Sequence, residues 1–269
     1  MSRDKEAPIT EHIYELAVRL RVILIVLFVL TFIIALIPVN IQGLDAEILT
    51  DPLNGLKDYL NRTFVSVVIQ RMISDVLPGE AKLIAYSWLD TISVYFTVSF
   101  ALAFIVALPV VAYETYKYIN PALYSHERKF AFYFIVSFTG LFSLGVIYAY
   151  YLLLPPTIKV LYYFTLAAGA APLFSIKDFF YFVALVIVSS GLFFTIPIVI
   201  ALAVKYDVIS VETLTKNRRG IIFAVLVFAA VITPDPTPIS MTLIALPFIL
   251  LFEAAIRICL LYTSPSPRD

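Results

Sequence analysis

Ionisable and aromatic side chains are concentrated in one short stretch, Tyr113–Phe130, which lies between two long apolar segments and is called the bridge below. The bridge contains two carboxylates and four tyrosines at the predicted surface of a membrane. A water-facing turn between membrane helices needs charge in any case. Carboxylates combined with aromatic rings go further, because together they can hold a cationic peptide. The ionisable residues of the bridge, tyrosines aside, are Glu114, Lys117, His126, Glu127, Arg128 and Lys129.

A second group of charged residues with helical spacing lies near the N-terminus. Glu11, Glu15 and Arg19 recur every four residues, away from a stripe of apolar residues. This pattern predicts an amphipathic helix that rests on the membrane surface and runs into the first span. Glu15 and Arg19 are expected to form an ion pair worth about 0.2–0.5 kcal/mol. From spacing alone, the acids fit a solvated face and a ligand-binding face equally well.

Two further acids lie near the end of the chain. Glu253 is deep in the last apolar run, where an ionisable group is a functional candidate. A self-contained pair with Arg257, four residues later, is the alternative interpretation. Asp235 lies among prolines, and its two possible roles are those of a turn residue and of a proton carrier. The fourth apolar run has only serines and Thr195 as polar interior groups, which argues against an ion channel or pump.

No catalytic constellation is present in the sequence. His12 and His126 are the only histidines, and neither has a partner at metal-ligand spacing. Cys259 is the single cysteine, and there is no glycine-rich phosphate loop. We therefore expect neither an enzyme, nor a metal, nor a cofactor. The net charge of zero gives no indication of nucleic acid binding.

Composition indicates a polytopic all-α membrane protein. The chain is 61% hydrophobic and 14% charged, whereas soluble domains have about 25% charged residues. Several apolar runs approach the ~20 residues that span a bilayer. The third span is expected to end at Pro155–Pro156, before a loop over Thr157–Lys177. The six predicted spans are residues 20–38, 92–112, 130–154, 179–204, 220–232 and 239–258.

Six spans place both termini on one side, and lysine and arginine are more frequent on that side. The positive-inside rule makes it the cytoplasmic side. The fifth run is short, so the last two runs form either a short spanning pair, which we prefer, or a re-entrant pair. The long first loop is predicted to hold short amphipathic helices at Leu53–Leu60 and Phe64–Leu77. Lys205–Arg219 is predicted to be a polar loop.

The last eleven residues, CLLYTSPSPRD, abruptly break the final predicted helix. They match a sequencing adapter read in frame, so residues 259–269 are expected to be a non-native tail. A genuine disordered tail is the alternative. Residues 1–258 are expected to form a single membrane domain.

Three motifs resemble the TatC family, the multispanning core of the twin-arginine protein translocase. They are the bridge sequence INPALYSHERKF, the N-terminal PITEHIYELAVRL and the C-terminal ITPDPTPISMTLIALPFILLFE. The resemblance extends from about Pro8 to Ile258. It implies six helices in a concave, glove-like wall that receives folded proteins through a signal peptide with two consecutive arginines.

The resemblance also implies site residues and partners. The signal-binding positions fall on Glu15, Glu127, Tyr118, His12, Arg19, Tyr124 and Arg128. Structural or partner-contact positions fall on Pro52, Pro109, Pro121, Thr195, Asp235 and Glu253. The implied partners are TatA/TatB-type single-span proteins, the signal peptides of folded cargo and further copies of this chain. The implied location is a prokaryotic cytoplasmic membrane, with energy from the proton gradient.

The sequence departs from the family at two places. Ala17 and Val18 stand where a basic residue often follows the N-terminal glutamate. Thr195 replaces a carboxylate or amide two residues before Pro197, which puts a carboxylate contact to a partner helix in doubt. A small-solute secondary transporter and a ligand-free membrane scaffold are the competing classes. A transporter would need intramembrane polar or charged residues, broken helices and usually internal symmetry, and only the prolines fit this description.

Overall fold

The computed structural model describes residues 9–39, 59–119, 128–205, 209–232 and 238–263. These residues form helices, one π-helical turn and one pair of short strands. In chain order the elements are α1 (Ile9–Leu36), α2 (Phe64–Val76), β1 (Lys82–Ile84), α3 (Trp88–Ile119), α4 (Arg128–Tyr148), the π turn (Ala149–Leu153), α5 (Leu154–Ala167), β2 (Leu173–Ser175), α6 (Ile176–Lys205), α7 (Val211–Lys216), α8 (Arg218–Ile232) and α9 (Pro238–Thr263).

Four helical stretches of the described chain are long and apolar enough to cross a membrane. They are Ile13–Leu36, Trp88–Tyr118, Phe132–Ala167 and Ile176–Val204. The predicted all-α polytopic membrane protein is therefore confirmed. The fifth predicted span corresponds to α8, whose 15 residues extend over only about 22 Å. A total of six spans, the concave wall and cytoplasmic termini stay predictions.

The N-terminal segment forms one continuous helix, without the expected change from a surface helix to a span. Neither glycine nor proline occurs within α1, so nothing in its sequence favours a bend. Its 28 residues extend over about 42 Å, which exceeds the ~30 Å apolar layer of a bilayer. The first two turns, including Glu15, therefore have the length to project beyond the apolar layer.

The second predicted span continues into the bridge. α3 runs to Ile119, so the first seven residues of the bridge, Tyr113–Ile119, are helical rather than part of a turn. The helix passes through Pro109 without ending. As a result, Glu114 and Lys117 lie about one helical turn apart on α3.

The prediction that Pro155–Pro156 ends the third span is wrong. The helix continues through the π turn into α5 and ends at Ala167. The backbone N–H of Leu154 donates to the carbonyl of Ala149, five residues earlier, which widens the turn. The two prolines then occupy the first positions of α5, where missing N–H groups cost little.

The described residues divide into two compact units. The first comprises residues 1–69 and 95–139. In it α1 and α3 run antiparallel, since Phe32 contacts Phe96 edge-to-face at 6.0 Å near one end and Arg19 bonds Glu114 near the other. The rings of Tyr116 and Phe134 lie 5.7 Å apart and join α3 to α4.

The second unit comprises residues 70–94 and 140–269. Within it α4 and α6 approach closely at two glycines. The Ser190 hydroxyl donates to the carbonyl of Gly145 at 3.1 Å. A Cβ at Gly145 would lie 2.7 Å from the Ser190 carbonyl oxygen, and one at Gly191 would lie 2.5 Å from the Phe142 ring. Only glycine permits this approach.

Helices α6, α8 and α9 share an apolar core in the second unit. Phe248 packs edge-to-face on Phe193 at 5.8 Å and stacks with Phe252 at 6.1 Å. Val225 of α8 and Ala245 of α9 complete the contact. The predicted spans 220–232 and 239–258 correspond to α8 and to all but the last turn of α9.

Two predicted loops contain ordered elements. The segment Thr157–Lys177 was expected to be a loop, but most of it is helix, and Leu173–Ser175 pairs in parallel with Lys82–Ile84. The segment Lys205–Arg219 contains α7, whose first turn is capped by Ser210 accepting from the backbone of Thr213 at 3.2 Å. Strands and helices this short carry too little periodicity to be recognised in a sequence.

Candidate functional site

A cluster of four charged side chains joins α1 to α3 within the first unit. Glu15 and Arg19 come from α1, and Glu114 and Lys117 come from the last two turns of α3. Helical spacing places the two members of each pair on one face. The antiparallel packing of α1 against α3 brings the two pairs together, although they are almost a hundred residues apart in the sequence.

Arg19 lies at the centre of the cluster and divides its donors between two carboxylates. Its Nε donates to Oε1 of Glu15 at 3.2 Å, and its Nη2 contacts the same oxygen. Its Nη1 donates to Oε2 of Glu114 at 3.2 Å. The predicted ion pair of Glu15 with Arg19 is thus confirmed, and the structure adds a second acid from another helix.

The two carboxylates differ in exposure and in use. The side chain of Glu114 is 12% exposed, with Arg19 on one oxygen and Lys117 Nζ 3.9 Å from the other. The side chain of Glu15 is 32% exposed, and both of its bonds from Arg19 fall on a single oxygen. Oε2 of Glu15 takes neither bond. Among the described contacts, Glu15 is therefore the carboxylate with capacity for another cation.

An aromatic ring accompanies the charges. Nζ of Lys117 lies 4.2 Å from the ring centroid of Tyr113, a distance at which the ring face attracts a cation. The described site thus combines two carboxylates, two internal cations and an aromatic face. Chemically it can exchange one guanidinium or ammonium partner for another. It holds no nucleophile–base pair among these residues.

The chain is similar to known proteins along almost its whole length. The profile of the family described as Sec-independent protein translocase protein (TatC) matches residues 11–247. The TatC protein of Aquifex aeolicus is 32% identical over 254 residues, which cover 93% of each chain. The chain belongs to the TatC family. The TatC of Methanocella arvoryzae is 26% identical over 94% of this chain and 93% of its own length.

The fold agrees with this assignment. A crystal structure of the twin-arginine translocase receptor TatC is similar to this chain with a TM-score of 0.72 and 28% sequence identity. The match covers 94% of this chain and 99% of the solved chain. TatC proteins are components of a protein translocase, a transport family and not a family of enzymes. The multiple apolar helices make this TatC a membrane protein.

The structure describes only some of the expected signal-binding residues of this TatC. Glu15 and Arg19 meet in the cluster. Tyr118 lies half-buried near the end of α3. His12 lies in the first turn of α1, and Arg128 begins α4. Glu127 and Tyr124 lie outside the described residues, as do Pro52, Pro121 and Asp235.

Glu253 has a partner other than Arg257. Its Oε1 pairs with Nε of Arg218, the first residue of α8, so the alternative interpretation of a self-contained pair with Arg257 is wrong. Arg257 is exposed, whereas the Glu253 side chain is only 19% exposed and faces α8. The core between α8 and α9 turns this face of α9 inward, so the nearer cation comes from the neighbouring helix.

Thr195 and Pro109 are the other expected structural or partner-contact positions within the described residues. The Thr195 hydroxyl is buried and donates to the Leu192 carbonyl at 2.7 Å, within its own helix. The described hydrogen bond of Thr195 is therefore made within α6 and not to a neighbouring helix. Pro109 lies on an exposed face of α3.

Glu114 was noted as one of the two carboxylates of the bridge, but it was not predicted as a signal-binding position or as a partner of Arg19. The family motif begins after it, and the predicted span ended at residue 112. Extending the helix by two turns would have placed Glu114 and Lys117 on one face by their three-residue spacing. The contact with Arg19 depends on the packing of α1 against α3, which no local pattern encodes.

Proposed function

We propose that this TatC protein is the receptor and core component of a twin-arginine translocase. It binds the twin-arginine signal peptide of folded precursor proteins at the cytoplasmic face of the prokaryotic cell membrane. It also organises TatA/TatB-type single-span partners and further copies of itself for export. The six spans, the concave wall and cytoplasmic termini belong to this proposal.

The observation that carries the proposal is the exposure and hydrogen bonding of the Glu15 carboxylate. This carboxylate lies near one end of a membrane-length helix, is the more exposed of the two acids, and has an oxygen that Arg19 does not use. Its pair with Arg19 supports the proposal, because the same carboxylate already accepts hydrogen bonds from a guanidinium. A charge-assisted hydrogen bond of this kind contributes roughly 1.5–3 kcal/mol.

Arginine fits this site better than lysine. A guanidinium offers a planar fork that matches both oxygens of a carboxylate, whereas an ammonium acts as a point charge. Two consecutive arginines need two acceptors. Glu15 supplies one, and Glu127 of the bridge motif is proposed as the second, with Tyr118 stacking on a guanidinium. The proton gradient is proposed as the energy source.

The family assignment does not favour the alternative of a small-solute transporter. The match extends over most of the chain and is to a protein translocase component. Two polar groups of the fourth long helix, α6, are bonded within the protein, since the Ser190 hydroxyl donates to Gly145 and the Thr195 hydroxyl donates to Leu192.

The proposal is tested by photocrosslinking a twin-arginine precursor to this protein in membrane vesicles. Glu127→Ala should abolish crosslinking, and Glu127→Gln should retain part of it, because an amide keeps one acceptor oxygen but no charge. A precursor with two lysines should crosslink poorly to the parent protein. Unchanged crosslinking of Glu127→Ala would remove the bridge from the binding site.

Glu212 offers a matched control. It is an exposed acid in the first turn of α7, with no role in the proposed site. Glu212→Gln removes the same charge and should crosslink like the parent protein. If both glutamine variants lose crosslinking to the same extent, the loss reflects overall charge and the assignment of Glu127 fails.

A further inference from the structure

The guanidinium of Arg19 is shared unequally between two helices. Two of its three nitrogens reach one oxygen of Glu15 on its own helix, and the third nitrogen reaches Glu114 on α3. An incoming signal arginine needs both oxygens of Glu15 for a bidentate contact. It must therefore compete with Arg19 for Oε1.

We propose that Glu114 is a positioning residue that retains Arg19 and so releases Glu15 to the signal arginine. The inference rests on the proposed signal-binding function. Glu114 is already bonded to Arg19 through Nη1 and is the more buried of the two acids, with 12% of its side chain exposed. When Arg19 leaves Glu15, it keeps a counter-ion, so its displacement costs less.

Lys117 is the second cation beside Glu114. Its ammonium lies 3.9 Å from Oε1 of Glu114, beyond a hydrogen bond, and 4.2 Å from the centroid of Tyr113. It balances the charge of Glu114 without occupying the oxygen that Arg19 uses. Glu114 can thus shift its contact between the two internal cations as Arg19 moves. Among the described side chains, Glu15 has no second cation besides Arg19.

The expected effect of Glu114→Gln follows from the competition. Arg19 then has Glu15 as its single described carboxylate partner and holds it more tightly. The dissociation constant of a twin-arginine signal peptide should rise three- to tenfold. In the Arg19→Gln background the competitor is absent, and the same Glu114→Gln change should alter the dissociation constant by less than twofold.

The experiment measures equilibrium binding of a fluorescent twin-arginine signal peptide to full-length protein in lipid nanodiscs. The proteins are the parent, Glu114→Gln, Arg19→Gln and the double variant, each also measured with a twin-lysine peptide. Arg19→Gln removes the competitor for Oε1 of Glu15 and should bind two- to threefold more tightly than the parent. Arg71→Gln is the matched control, because Arg71 also forms an i,i+4 pair, with Asp75 at 3.1 Å. It should bind like the parent.

Several results would overturn the inference. If Glu114→Gln weakens binding equally with and without Arg19, Glu114 is a direct ligand of the signal. Unchanged or tighter binding of Glu114→Gln, or loss of binding in Arg19→Gln, excludes retention of Arg19 by Glu114. If Glu114→Gln does not fold, Glu114→Asp keeps the charge and should bind within twofold of the parent; a larger loss also contradicts the inference.

Failure of the proposed function gives a different result. In that case the parent protein binds the twin-arginine and twin-lysine peptides equally, whatever the variants do. Discrimination by the parent together with additive effects of the two substitutions overturns only the role of Glu114.

Discussion

The glycine contact between α4 and α6 allows a sharp test of the packing in the second unit. We expect Gly145→Ala to destabilise the protein relative to Gly140→Ala, in the same helix. The new Cβ at position 145 would lie 2.7 Å from the backbone oxygen of Ser190, whereas at position 140 nothing lies within 4 Å. A backbone oxygen cannot rotate away, so the two helices must separate by several tenths of an ångström.

The magnitude follows from two opposing terms. Replacing glycine by alanine in a helix favours the helix by up to about 1 kcal/mol, and both variants gain this. Overpacking a close contact costs roughly 1–3 kcal/mol, and only Gly145→Ala incurs that cost. The move would also strain the bond from the Ser190 hydroxyl to the Gly145 carbonyl, 3.1 Å in the parent.

The assay is thermal unfolding in one detergent, followed by circular dichroism of the two variants and the parent. For a chain of this size, 1 kcal/mol corresponds to about 2–4 °C in Tm. Gly145→Ala should therefore melt several degrees below Gly140→Ala. Equal Tm values would show that α4 and α6 do not approach through Gly145, and the described crossing would be wrong.

Two further predictions concern the end of the chain. Arg218→Gln leaves the partly buried Glu253 without its described partner and should lower the free energy of unfolding by about 1 kcal/mol, since Arg218 is half exposed. Adding Glu253→Gln should restore most of the Tm, and a further loss of Tm in the double variant would contradict the pairing. Ser210→Ala removes the described cap of α7 and should destabilise this helix by about 1 kcal/mol. We expect faster amide hydrogen exchange confined to Val211–Lys216, and unchanged exchange there would show that the cap is not needed.

Local patterns were enough for much of the fold. The apolar runs predicted the long helices because a membrane-length run of apolar residues has few other structures available. The ion pair of Glu15 with Arg19 was predictable because both residues belong to one helix at i,i+4 spacing. The helix Phe64–Val76 was predicted almost to its ends because its residues form an amphipathic pattern between glycine and proline breakers.

Contacts between distant elements were not predictable. Arg19 contacts Glu114 only because α1 and α3 pack antiparallel, and Glu253 prefers Arg218 because packing turns that face of α9 toward α8. The prolines at 155–156 were expected to end a helix, since proline usually does so in an ideal α-helix. The π turn before them changes the hydrogen-bond register, and no pattern in the local sequence predicts this turn.

The central claim is that this TatC protein distinguishes an arginine pair from a lysine pair by carboxylates at its surface. The most direct test compares the affinities of the parent protein in nanodiscs for two signal peptides that differ only at that pair. We predict that the twin-arginine peptide binds at least tenfold more tightly, equivalent to about 1.4 kcal/mol. Equal affinities for the two peptides would contradict the account.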